Sequence, residues 1–224
     1  MKKKIVINLL IFILPWSLRR LILNRLLGYQ IHSSAFISRF SIIAPEFLEM
    51  DKHAKIGAFN VAIHLTKFVM GDSAVIGRSN WISGFQKGSK NHFAHAVDRD
   101  PSLIMGEHSA ITKKHIIDCT DKISIGKFST IAGYHSQFLT HSIDYELSRQ
   151  DCHPIAIGEY SIVGTGSVFL PGSALPSYSI CGAGSVVNKV HTVEYSLYAG
   201  TPAGLKKQLN KDAKYFIRDK RYVD

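Results

Sequence analysis

The residues best suited to chemistry in this chain are its histidines, 11 among 224 positions. An imidazole titrates near neutrality, so it can take a proton from a hydroxyl and return one to a leaving group; where three converge, they can hold a zinc ion. Their placement is uneven. His92 and His95, with Arg99, fall in the stretch 83–103, and His141 and His153 fall in the stretch 137–156. Both stretches interrupt an otherwise regular pattern. His115 and His135 lie inside that pattern, where a satisfied structural histidine is the expected role.

The elements that must position these groups are set by a period of six. An apolar residue returns at Ile157, Val163, Phe169, Leu175, Cys181 and Val187, and four positions after each of the first five stands Ser161, Ser167, Ser173, Ser179 or Ser185. Helices repeat near 3.6 residues and strands at 2, so neither requires this spacing. A hexapeptide coil does: three short flat strands form a triangular turn, the aliphatic side chain fills the interior and the small one sits beside each corner. The same spacing runs through Ile31, Ile37 and Ile43, then Met50 and Ile56, then Met70, Ile76 and Ile82. Met105, Ile111, Ile117 and Ile123 resume it, and Ile125 with Ile131 continues it after a slip of two residues. Asn60 and Asn80, then His115 and His135, take the small-residue slot. The expected domain is an all-β solenoid over 31–204 with loops at 83–103 and 137–156.

The ends differ from the solenoid. Residues 5–14 are apolar behind Lys2–Lys4, but that run is about half the ~20 residues a spanning helix needs, and Pro15, Trp16, Arg19 and Arg20 stand where a cleavage site of small residues would be. Leu18, Leu21, Ile22, Leu26 and Leu27 can share one helical face before Gly28. Residues 1–30 are therefore expected to form an amphipathic helical segment, at a membrane interface or as a cap on the open end of the coil. Residues 205–224 read as a short basic C-terminal helix. Lys and Arg exceed Asp and Glu by 27 to 17, for a net charge of +10, and the excess gathers at the two ends. An anionic partner is expected, with no nucleic-acid motif present. Cys119, Cys152 and Cys181 are odd in number and scattered, which suits reduced thiols and a cytoplasmic setting, at the inner face of the cytoplasmic membrane if the N-terminal segment binds lipid.

Several stretches together resemble one family. Ile157-Gly158-Glu159-Tyr160-Ser161-Ile162-Val163-Gly164, Leu170-Pro171-Gly172, Cys181-Gly182-Ala183-Gly184-Ser185-Val186-Val187 and the closing Ala199-Gly200-Thr201-Pro202-Ala203 are similar to the hexapeptide-repeat acyltransferases. Among these the nearest type is the sugar O-acetyltransferases of bacterial surface-polysaccharide pathways. The resemblance implies a left-handed parallel β-helix, acetyl-CoA as acyl donor, a sugar or lipid-linked glycan as acceptor, and a homotrimer with sites between neighbours. In that family a Thr-His or Ser-His pair shortly before an Ile-x-Ile-Gly step supplies the general base. Thr140-His141 ahead of Ile155-Ala156-Ile157-Gly158 matches, which makes His141 the expected base; Asp144, three residues on, is the carboxylate expected to orient or charge-stabilise it.

Gly164-Thr165 and Gly182-Ala183 stand eighteen positions apart, so one full turn stacks them on one edge as a candidate coenzyme A track. Thr201, Pro202 and Lys206 at the closing motif complete the donor contacts that the resemblance implies. No metal site is expected. The competing readings are a zinc carbonic anhydrase on the same scaffold, for which His135, His141 and His153 lack ligand spacing, and a non-catalytic peripheral scaffold.

Overall fold

The period of six becomes a triangular prism of three flat parallel sheets. The computed structural model describes residues 2–89 and 91–220. Each coil gives one short strand to each face, and two faces have seven strands while the other has nine. Thus Ile155–Ile157, Ile162–Val163 and Val168–Phe169 pair in parallel with Ala174–Leu175, Ile180–Cys181 and Val186–Val187 of the next coil. The chain is the expected left-handed parallel β-helix. Here the face that begins each coil is called the first, and the second and third follow in chain order.

The slip between Ile123 and Ile125 has a simple cause. Strands of the first face carry two inward side chains at alternate positions, Leu48 with Met50, Phe68 with Met70, Leu103 with Met105 and Ile123 with Ile125, all buried. Both isoleucines therefore fill the interior, and the count of six restarts from the second. All three cysteines are buried free thiols.

At the corner between the second and third faces the small-residue slot supplies acceptors for backbone donors. On the corner between the second and third faces, Asn60 N–H donates to Ser41 Oγ (3.1 Å), Asn80 N–H to Asn60 Oδ1 (2.9 Å), His115 N–H to Asn80 Oδ1 (2.9 Å) and Ser136 N–H to His115 Nδ1 (3.2 Å). Each side chain thus serves the next coil. Burial, and then the neighbouring His135, push the His115 imidazole down to about 4, so it stays neutral. His135 is not in the slot. One extra residue between Ile131 and Phe138 passes the position to Ser136, and His135 is exposed with φ 62° and its ring edge-on to Tyr134.

Both ends of the solenoid are covered. At the start, α1 (Lys2–Leu10) and α2 (Trp16–Leu27) bring Ile11 and Leu23 into the core. Among the described residues no helix is long and apolar enough to cross a membrane. At the other end the expected C-terminal helix is absent from 205–208. Ala203–Gln208 instead folds back antiparallel on Ser196–Gly200, because the last strand of the second face would otherwise present an unpaired edge.

The tail beyond that hairpin makes only one 3-10 turn, Lys214–Phe216. It lies over a ladder of corner aromatics: Phe128, Tyr160, Tyr178 and Tyr195 stack in turn at 4.7, 5.4 and 4.7 Å. Arg218 spans Phe128, Tyr160 and Tyr215, and buried Phe216 meets Tyr178 and Tyr195 edge-on. Residues 221–224, the end of the segment expected to be helical, lie outside the described residues.

Candidate active site

The corner between the third and first faces holds both interruptions of the period. In three successive coils it is formed by Ser83-Gly84, by Asp118 to Asp121 and by Leu139 to His141, whose strands pair in that order. The chain leaves the first of these coils for residues 84–101. It leaves the third as a hairpin, His141–Asp144 against Arg149–Cys152. The second expected loop therefore starts four residues late, since Gln137–Leu139 stays in the third face and Thr140 is buried at the corner. Between the two excursions the middle coil turns tightly through Asp118-Cys119-Thr120-Asp121.

That tight turn supplies the partner of His141. Nδ1 of His141 lies 2.5 Å from Oδ2 of Asp118, whose side chain is only 12% exposed. Oδ1 of Asp118 accepts from Thr120 N–H (3.1 Å) and Thr120 Oγ1 (2.7 Å). Thr140 explains why a threonine precedes the histidine: its hydroxyl donates to Asp118 O (2.8 Å) and accepts from Asp121 N–H (2.9 Å), locking the strand end over the turn. With Nδ1–H held by the carboxylate, Nε2 carries the lone pair on a ring that is 41% exposed.

The electrostatics agree with that tautomer. The hydrogen bond to Asp118 raises the His141 pKa above its ordinary 6.5 against the opposing effect of burial, and the charge of Asp118 adds to it. Burial alone would raise Asp118, but hydrogen bonds from His141 and Thr120 together outweigh it and hold the carboxyl below its ordinary value. The ring of buried Phe93 meets the imidazole edge-on at 6.0 Å. Any activity that used this imidazole as a base would need it neutral and would rise with pH through a midpoint above 6.5. Asp118→Asn should move that midpoint of kcat/KM downward and lower kcat about tenfold. An unmoved midpoint would show that the carboxylate does not tune the imidazole.

Asp144 does not orient His141. It caps the hairpin turn, accepting from Glu146 and Leu147 N–H (both 3.1 Å) and facing Arg149 at 3.8 Å, because a short carboxylate entering a turn is captured by the next backbone amides. Arg99 is also committed to structure. It is 5% exposed, donates to the carbonyls of Phe85, Gln86 and Thr120 and lies over the Phe93 ring, sewing the first loop to the corner.

His92 packs edge-on against Phe85, and His95 reaches across to Asp151 (3.4 Å), which His153 also approaches (3.7 Å). A cleft of about 430 Å³ between the loops is lined by His92, Phe93, Ile143, Arg149 and Gln150. Among the described residues no group of three or more His, Cys, Asp or Glu is arranged to hold a metal ion, so His135, His141 and His153 do not form the triad a zinc site would need.

The expected donor residues gather on the corner between the second and third faces. Gly164 and Gly182 stack there, but a Cβ on Gly164 would lie 2.6 Å from Ala183 N, and one on Gly182 would lie 3.0 Å from Ala199 Cβ. Their lack of a side chain is used by the adjacent coil. Thr165 is tied to Tyr134, donating to its carbonyl (2.8 Å) and accepting from its N–H (3.1 Å). The open positions are Gly166 and Gly184, with φ of 67° and 68° and nothing within 4 Å of a Cβ. These were missed, although they repeat at the same eighteen-residue interval. Thr201 and Pro202 turn between the last two strands, and Lys206 extends its ammonium over Gly200. The donor corner and His141 are not brought together within one chain, since they lie at opposite edges of the third face.

No family model matches the sequence, and no curated protein matches it closely. Solved structures do. AntD, an N-acyltransferase from Bacillus cereus in complex with dTDP and 3-hydroxybutyryl-CoA, aligns over 87% of this chain and 88% of its own at 13% identity, with TM-score 0.56. A point mutant of AntD with dTDP and coenzyme A aligns over 76% and 84% at 15% identity, with TM-score 0.52. A hexapeptide-repeat containing acetyltransferase from Vibrio cholerae aligns over 93% and 90% at 20% identity, with TM-score 0.49. At such identities the likeness is one of architecture: the chain has the hexapeptide-repeat β-helix fold, and shares its course with AntD.

Proposed function

We propose that this protein transfers an acetyl group from acetyl-CoA to a sugar hydroxyl, on a precursor of bacterial lipopolysaccharide, capsule or exopolysaccharide. The observation that carries the reading is the His141–Asp118 pair, 2.5 Å apart at the root of a hairpin. His141 Nε2 takes the proton of the acceptor hydroxyl as its oxygen attacks the thioester carbonyl, and the imidazolium returns that proton to the departing thiolate. Asp118 keeps the ring in the tautomer this requires and stabilises the charged form. The acceptor enters the cleft between the two loops. The donor lies along the corner marked by Gly164, Thr165, Gly182 and Ala183, where the backbone at Gly166 and Gly184 is open, with Thr201, Pro202 and Lys206 at its end.

Because donor corner and base lie at opposite edges of one face, a site needs a second copy that sets its donor corner against this chain's His141. A homotrimer with three such sites satisfies every copy. Sedimentation should therefore give a trimer at micromolar protein. Thiol release from acetyl-CoA should depend on an acceptor drawn from a panel of neutral sugars, nucleotide sugars and amino sugars, the last included because AntD is an N-acyltransferase. Release that depends on an amine and not on a hydroxyl would replace O-transfer by N-transfer. A monomer with full activity would overturn the shared site.

A further inference from the structure

The two N-terminal helices set polar side chains as well as apolar ones against the coil. A helix that covers a solenoid in water turns leucines inward and polar side chains outward. Here polar groups face the coil beside the apolar ones. Asn8, 2% exposed, donates to Ile43 O (3.1 Å) and accepts from Ile43 N–H; Asn24 does the same for the O and N–H of Ile31 (both 3.1 Å). Arg19, also buried, donates to the carbonyls of Ile37 and Ser38, and Trp16 Nε1 to Ala35 O. The reason is local: the first coil has no coil beneath it, and its edge groups need partners. Satisfying that edge accounts for the polar residues, and buried Ile11 and Leu23, with partly buried Ile7, Leu14, Trp16, Ile22 and Leu27 packed beside them, seal the core.

It does not account for what lies outside. Val6, Leu9, Leu10, Ile13, Leu18, Leu21 and Leu26 are all exposed, Ile13 at 83% and Leu10 at 71%. Scattered single leucines need no explanation, but seven within twenty-one residues, on the two helices and the turn between them, give this end of the chain an apolar outer surface. Its charge has one sign. No Asp or Glu occurs before Glu46, and of the basic side chains Lys4 and Arg19 are spent on coil carbonyls, while Lys2, Lys3, Arg25 and Arg39 are exposed and Arg20 is half-buried. An apolar patch with a cationic border fits an anionic bilayer surface. We propose that α1, α2 and the turn between them dock this end of the solenoid on a membrane of anionic phospholipid, with Leu9, Leu10 and Ile13 entering the acyl boundary. The cap and the anchor are then two faces of the same helices, and docking stands independently of the acyl-transfer reading.

The test is sedimentation of the full chain with vesicles of phosphatidylcholine alone or mixed with phosphatidylglycerol. The mixed vesicles should bind it, and added salt should weaken binding. Each exposed side chain removed from the boundary should lower partitioning about tenfold, so Leu10→Ser with Ile13→Ser should cost on the order of a hundredfold. Lys2→Gln, Lys3→Gln and Arg25→Gln should each cost about fivefold on the mixed vesicles and little on phosphatidylcholine. These positions point away from the coil, so the thermal midpoint should stay unchanged. The proposal is overturned if the native chain stays in the supernatant with both vesicles, or if the double variant binds as well as the native chain. It is also overturned if, without lipid, the double variant loses a self-association the native chain shows, since the patch would then join two copies.

Discussion

His141→Ala should lower turnover by about 10² to 10⁴ while the chain keeps its fold and still binds acetyl-CoA. Among the described residues His141 is the one histidine paired with a buried carboxylate, and truncating it removes the proton acceptor without touching the coil. Thr140 and Asp118 keep their mutual bonds through the Thr140 hydroxyl and the Asp118 carbonyl. The measurement is single-turnover acetyl transfer beside a circular dichroism melt. Near-native turnover in His141→Ala would remove it from the chemistry. His115→Ala gives the contrast: it should lower the melting temperature, because His115 accepts the Ser136 N–H in a buried corner.

The largest effect on stability is expected from Gly77→Ala. A Cβ there would lie 2.0 Å from the carbonyl oxygen of Thr112, and Gly57 faces Gly77 O in the same way at 2.1 Å. Both obstacles are backbone of the adjoining coil, so relief requires separating coils whose strands are hydrogen-bonded. Overpacking of this kind costs about 3 kcal/mol or more. For a chain of this size that corresponds to a fall of roughly 6 to 12 °C in the melting temperature. Gly28→Ala is the comparison: its φ is 68° but nothing lies within 4 Å of a Cβ, so only left-handed strain of about 1 to 2 kcal/mol applies. Equal losses in the two variants would show that coil contact does not set the glycine at 77.

These two positions also show how much of the molecule its sequence makes legible. The solenoid was readable because an aliphatic residue at every sixth place has only one use. The histidine was readable because a Thr-His pair interrupts the period ahead of Ile157-Gly158. Its carboxylate was not. Asp118 lies twenty-three positions before His141, and they meet only because Asp118 pairs with Leu139 across adjacent strands. The coil from Ile117 to Phe138 is longer than the eighteen residues from Phe169 to Val187, so a count of eighteen does not find the pair. Asp144, nearby in sequence, was the natural choice, and its own turn captures it. The tail was misread for a related reason: helical composition in 205–208 yields to the open sheet edge beside it. Likewise His135 lost its slot to one inserted residue, which a fixed period cannot register.

The placement of both excursions on one corner gives the site a gauge. Strands of a sheet are spaced by about 4.8 Å, and the loop that starts after Ser83 and the hairpin that starts at His141 spring from coils with one strand between them, Ile116–Asp118. The two roots are therefore about 9.6 Å apart, whatever sequence the excursions carry. Loop composition can change the walls of the cleft, but its width at the base is counted in whole coils. Moving one insertion by a coil would narrow the base to about 4.8 Å or widen it to about 14 Å, with no intermediate value. The spacing of the two excursions is in this sense a digital property of the chain.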